Sequence, residues 1–144
     1  MAKINMGRAI LGGIVAGVLI NIVEGVVNGA LLKPQWSEAA KAIGHSGEIS
    51  AKQIVAFNVW GFAAGLVAIW LYAAIRPRYG AGPKTAMCAG ATVWVLAYAM
   101  ANAMMAFLHI YPLNLLVIAT VVGLVEMLIA TLAGAYFYKE DSSA

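Results

Sequence analysis

The chain has 144 residues, 63% of them hydrophobic and only 10% charged, with a mean hydropathy of +0.87. Soluble domains hold about 45–50% apolar and about 25% charged residues, so this composition cannot cover a water-facing surface. The net charge of +3 is too small and too scattered for nucleic-acid binding, and the single cysteine, Cys88, excludes an internal disulfide.

A membrane-crossing helix needs about 20 mostly apolar residues. The first such stretch covers residues 8–32 and stops at Lys33-Pro34. It is not expected to be a cleaved signal peptide. It is long for the apolar region of one, it contains Asn21 and Glu24, and the small-x-small site Ala40-Lys41-Ala42 lies far beyond it. In the loop that follows, Trp36, Ala39, Ala40 and Ile43 recur on one helical face, with Ser37, Glu38 and Lys41 on the other. This pattern predicts a short helix in the headgroup plane, a plain exposed loop being the alternative.

The second stretch covers residues 54–76, announced by the capping-box spacing of Ser50 and Gln53 and expected to end at Pro77. The third covers 85–109 and the fourth 113–138. With only Ile110-Tyr111-Pro112 between them, these last two must be antiparallel neighbours. Trp36, Tyr72, Tyr79, Tyr111, Tyr136 and Tyr138 fall near the span ends, where aromatic residues anchor at an interface. The predicted fold is an all-α integral membrane four-helix bundle. It forms one transmembrane domain over residues 1–144, with a short interfacial helix in the first extracytoplasmic loop.

Orientation follows from Lys and Arg. Lys3, Arg8, Arg76, Arg78, Lys84 and Lys139 fall on one side, and Lys33, Lys41 and Lys52 on the other. Six against three predicts both termini in the cytoplasm, with a dual-topology dimer as the alternative.

Ionisable residues inside a span are costly and usually face the bundle interior. Two lie deep: Glu126 near the middle of the fourth span, and Glu24 about 6 Å beyond the middle of the first, at 1.5 Å per residue. Helical spacing groups Gly13, Gly17, Asn21, Glu24 and Asn28 on one face. It does the same for Asn58, Gly61, Gly65 and Tyr72, for Tyr98, Asn102, Met105 and His109, and for Ala119, Gly123, Glu126, Ala130 and Ala133. Turned inward, these stripes make a candidate pocket of Glu24, Asn21, Asn28, Asn58, Asn102 and Glu126. The pocket would open outward above a dry cytoplasmic half, where Thr85, Thr92 and Thr131 are the polar residues. A simple channel would need polar lining to both sides and is not expected.

With no Lys or Arg at that depth, at least one carboxyl must be protonated, bind a cation or meet a partner's charge. Three readings of the layer stay open: hydrogen-bonded glue between helices, a site for a solute, proton or cation, and contact with a partner subunit. Gly13/Gly17, Gly25/Gly29 and Gly61/Gly65 have G-x-x-x-G spacing, a weak packing signal in a chain with 15 glycines. Homo-oligomerisation or membership of a larger membrane complex is compatible with them. His109 has no companion at metal or haem spacing, so no cofactor is expected. Gly80-Ala81-Gly82-Pro83-Lys84-Thr85 lacks phosphate-loop spacing and reads as a turn. No nucleophile–base pair stands out, and an enzyme is not expected.

Three segments carry a likeness: Gly7-Arg8-Ala9-Ile10-Leu11-Gly12-Gly13; Asn28-Gly29-Ala30-Leu31-Leu32 with Trp36; and Trp70-Leu71-Tyr72-Ala73-Ala74-Ile75-Arg76-Pro77-Arg78-Tyr79-Gly80. They resemble an uncharacterised family of small four-span bacterial membrane proteins. The resemblance implies the fold and a bacterial cytoplasmic-membrane location, and brings no activity with it. Two function classes remain: a small transporter-like or ligand-binding protein with an outward-facing polar pocket, and a non-catalytic accessory subunit.

Overall fold

The computed structural model describes residues 4–140; Lys3 and Asp141, which flank the predicted spans, lie outside them. Helix α1 runs Met6–Val26 and continues through a π turn, Val27–Leu31. Helix α2 is Lys33–Ala42 and α3 is Ala51–Tyr79. Helix α4, Pro83–Trp94, passes through a second π turn, Val95–Ala99, into α5, Met100–Phe107. Helix α6 is Leu113–Phe137. Four rods, Met6–Leu31, Ala51–Tyr79, Pro83–Phe107 and Leu113–Phe137, are long and apolar enough to cross a membrane. The chain is a polytopic all-α membrane protein.

The helix ends follow local chemistry. Asn5 Oδ1 accepts from the Arg8 N–H at 2.9 Å and caps α1. The Ser50/Gln53 capping box forms in both directions, so α3 begins at Ala51 rather than at 54. At its other end α3 passes the expected stop at Pro77 and reaches Tyr79. A proline in the last turn forfeits one ladder bond and leaves little helix beyond it to disturb. The helix stops at Gly80, whose φ of +87° suits glycine and whose N–H bonds Arg76 O at 2.8 Å.

Glycines set the spacing between helices. A Cβ at Gly65 would lie 2.6 Å from Gly13 O and 2.9 Å from Gly17 Cα, so α1 and α3 touch backbone to backbone. Gly12 and Gly134 do the same for α1 and α6, and Gly90 lets α4 approach Met127 O on α6. Two of the three G-x-x-x-G pairs therefore face one another within the chain. The third does not: among the described residues, a Cβ at Gly25 would meet nothing within 4 Å.

The core is uneven. Buried residues of α1 run from Ala9 to Ile20 and those of α3 from Gly61 to Ala73, whereas α5 buries none. Packing is therefore tightest toward the end of the bundle where α1 begins and α6 finishes. There Tyr138 meets Tyr72 edge to face at 5.9 Å, with the Arg76 guanidinium 5.5 Å from the Tyr138 ring centre. The Gly82 N–H donates to Tyr72 Oη at 3.3 Å, joining the α3–α4 turn to the same group. At the opposite end, which carries α2, the helices are less enclosed, and the polar layer lies where the close packing gives way.

Candidate functional site: a carboxyl pair inside the bundle

Glu126 is the deepest polar residue of the layer. It stands on the buried face of α6 with Ala119, Gly123 and Ala130, as the helical spacing predicts, and is 2% exposed. Its Oε1 accepts a hydrogen bond from the Tyr98 hydroxyl. Its Oε2 is buried with no hydrogen-bond partner among the described residues. A buried carboxyl oxygen left unpaired costs about 1–3 kcal/mol and calls for an explanation.

Tyr98 is placed by three features. It belongs to the π turn Val95–Ala99, so the buried stripe steps by five residues, from Val93 to Tyr98. An unbroken α-helix would present position 97 after 93. Its ring lies against Gly123, where a Cβ would come 2.7 Å from Cε1. Trp60 closes the other side edge-on, with ring centres 5.4 Å apart. So held, the hydroxyl that bonds Glu126 also stands beside the Glu24 carboxyl.

Glu24 is half-buried on α1, just before the π turn Val27–Leu31. Its Oε2 accepts from Asn28 Nδ2 at 2.7 Å. Asn28 Oδ1 in turn accepts from Trp36 Nε1 on α2 at 3.0 Å. Indole N–H is only a donor, so it fixes the amide: its oxygen faces Trp36 and its NH2 faces Glu24. Trp36 also meets Tyr111, before α6, edge to face at 5.5 Å. Beside this pair an open groove lined by Ala39, Ile43, Ala106, His109 and Leu113 reaches the α2 end.

Of the six residues in the predicted pocket, Glu24, Asn28 and Glu126 thus belong to one cluster through Tyr98. The other three do different work. Asn21 lies against Gly61 and donates from Nδ2 to Asn58 O at 3.1 Å, tying α1 to α3. The Asn58 side chain is exposed and turned back to Ile54 O at 2.8 Å, with no bond to the carboxyl cluster. Asn102 donates to Thr120 Oγ1 at 2.8 Å, and Trp94 Nε1 donates to Thr120 O at 2.8 Å, fastening the third rod to α6. Such interhelical bonds contribute about 0.6–2 kcal/mol each.

Tyr98 and Trp36 are the members that a search for charged and amide residues passes over. The signal for Tyr98 was its position one turn from Asn102 and far from either span end, where an interfacial anchor has no business. His109 is exposed at the edge of that groove in a left-handed backbone conformation, φ +52°. Among the described residues, no three His, Cys, Asp or Glu side chains gather where they could hold a metal ion. No protein-family model, no curated protein and no solved structure matches this chain.

Proposed function

We propose that the chain is a small ion-binding or ion-moving protein of a bacterial cytoplasmic membrane, with Glu24 and Glu126 as its site. The site is loaded from the side that carries α2, taken as the extracytoplasmic side, where α2 lies along the membrane surface. The observation that carries this reading is Glu126: a carboxyl 2% exposed, in mid-span, with one oxygen left without a partner among the described residues. Helix glue would satisfy both oxygens, because a buried polar group left half-paired destabilises the bundle it joins. A site for a positive species keeps an oxygen available. The lopsided packing supports the same side of entry, since Glu24, half-buried, lies nearer the open end and Glu126, buried, lies below it.

The test uses purified protein in liposomes with trapped pH-sensitive and sodium-sensitive dyes, driven by a potassium diffusion potential. The wild type is expected to carry one of these ions faster than empty liposomes, and Glu24→Gln and Glu126→Gln to return the rate to that of empty liposomes. Equal rates for wild type, both variants and empty liposomes would remove the transport reading. A second reading, a non-catalytic accessory subunit, rests on the open face at Gly25 and Gly29, where no other helix packs closely among the described residues. Recovery of the protein in mild detergent as part of a stoichiometric complex favours it.

A further inference from the structure

The groups bonded to the two carboxyls are hydrogen-bond donors. Tyr98 directs its hydroxyl hydrogen at Glu126 Oε1, and Asn28 directs its NH2 at Glu24 Oε2 while its oxygen is committed to Trp36. A hard metal cation needs the opposite arrangement, several oxygens converging with their lone pairs. Here the one amide oxygen close enough to help points away, and indole chemistry fixes it so. What the arrangement does suit is a carboxyl that gains and loses a hydrogen.

Resting on the reading of the pair as an ion site, we propose that the ion is a proton and that Tyr98 relays it between Glu24 and Glu126. A hydroxyl between two carboxyls donates to one and accepts from the other. When Glu24 is protonated, its O–H bond breaks as the proton joins the Tyr98 oxygen. Tyr98's own O–H bond breaks at the same moment, and that proton forms an O–H bond on Glu126 Oε1. Glu24 is left a carboxylate, Glu126 becomes a neutral acid, and Tyr98 ends as it began, so one proton moves and charge is conserved. The reverse passage empties Glu126 toward the α2 end.

The surroundings are simple. Glu24 of α1, Tyr98 of the second π turn and Glu126 of α6 are the ionisable groups that meet there. Helix α3 contributes Trp60, and its sequence from Ile54 to Ile75 holds no charged residue. Glu24, half-buried, is the outer station; Glu126, buried, is the inner one.

The test follows the carboxyl C=O stretch by time-resolved infrared difference spectroscopy of the full chain in nanodiscs after a pH jump. Glu24→Gln and Glu126→Gln should each delete one band, which assigns them. Tyr98→Phe keeps the ring and both carboxyls and should slow the Glu126 band by about a hundred-fold, the scale of a lost proton-transfer group, while the Glu24 band keeps its rate. An unchanged Glu126 rate in Tyr98→Phe overturns the relay and leaves the ion site standing. Bands that answer sodium or potassium at constant pH overturn the proton. Spectra indifferent to both Gln substitutions overturn relay and site together. Circular dichroism of Tyr98→Phe, compared with a Trp60→Phe variant that loosens the same ring, separates a lost hydroxyl from a disturbed fold: slowing in both variants to the same degree overturns the relay.

Discussion

The side chain that does most to position Tyr98 is one that is missing. At Gly123 a Cβ would lie 3.1 Å from Tyr98 Cγ and closer still to two other ring atoms, so the ring can rest on α6 only if this position stays bare. Gly123→Ala is expected to push the ring off α6, weaken its bond to Glu126 and cost about 1–3 kcal/mol, the usual effect of overfilling a packed interior. Gly25→Ala is the control, because a Cβ there meets nothing within 4 Å. It should be neutral or raise stability by up to about 1 kcal/mol through helix propensity. Thermal unfolding in detergent measures both, and equal melting of Gly123→Ala and wild type would sink the account of how Tyr98 is held. Glu24 and Glu126 were legible in the sequence because charge inside an apolar span is conspicuous. Tyr98 was legible only as a member of the polar stripe with Asn102; that it joins them was not, because the π turn that places it and the glycine it rests on are matters of packing, not of spacing.

Between elements, the link that matters most for access is the bond from Trp36 to Asn28. It fastens α2 to the outer part of α1, and through Asn28 it reaches Glu24. Trp36→Phe keeps the ring against Tyr111 but removes the N–H, leaving Asn28 Oδ1 without its donor. The expected cost is about 0.5–1.5 kcal/mol, felt as faster amide hydrogen exchange across Lys33–Ala42 with little change in Gly61–Ala73. Exchange in α2 that stays at the wild-type rate would show that the bond does not hold it. The amphipathic pattern over Trp36–Ile43 announced a helix there, and one runs Lys33–Ala42. Spacing could not announce the two π turns, since both are made by apolar residues that would extend an α-helix equally well. Nor could it announce that Pro77 lies inside α3, because the decisive stop is the left-handed backbone at Gly80 three residues on.

For the molecule as a whole, the four spans were plain from length and composition, and the structure adds how unequally their two halves are packed. The spacing of polar residues expected Asn58 and Asn102 inside with the carboxyls. Asn58 is exposed and bonds its own helix, and Asn102 faces α6 but bonds Thr120 and neither carboxyl, a distinction that periodicity does not carry. Sidedness rests on charge alone. Single cysteines placed in a Cys88→Ala background at His45 and at Ala81 should react with an impermeant maleimide from opposite faces of intact cells. His45 is expected to react from outside and Ala81 only after permeabilisation, and labelling of both from outside would point to dual topology.

The meeting of Gly12 with Gly134 also says something about time. These glycines lie in the first and the fourth span, yet their backbones are in contact. A chain is made from its N-terminus and begins to organise before it is finished. α1 can find α3 early, but the notch at Gly12 stays unfilled until the fourth span, which carries Gly134, has been made and inserted. Tyr138, which seals the same end against Tyr72 and Arg76, arrives later still. The notch of the first span is thus closed by the fourth, and a chain cut short before Gly134 would keep its first helices while leaving the Gly12 seam to lipid.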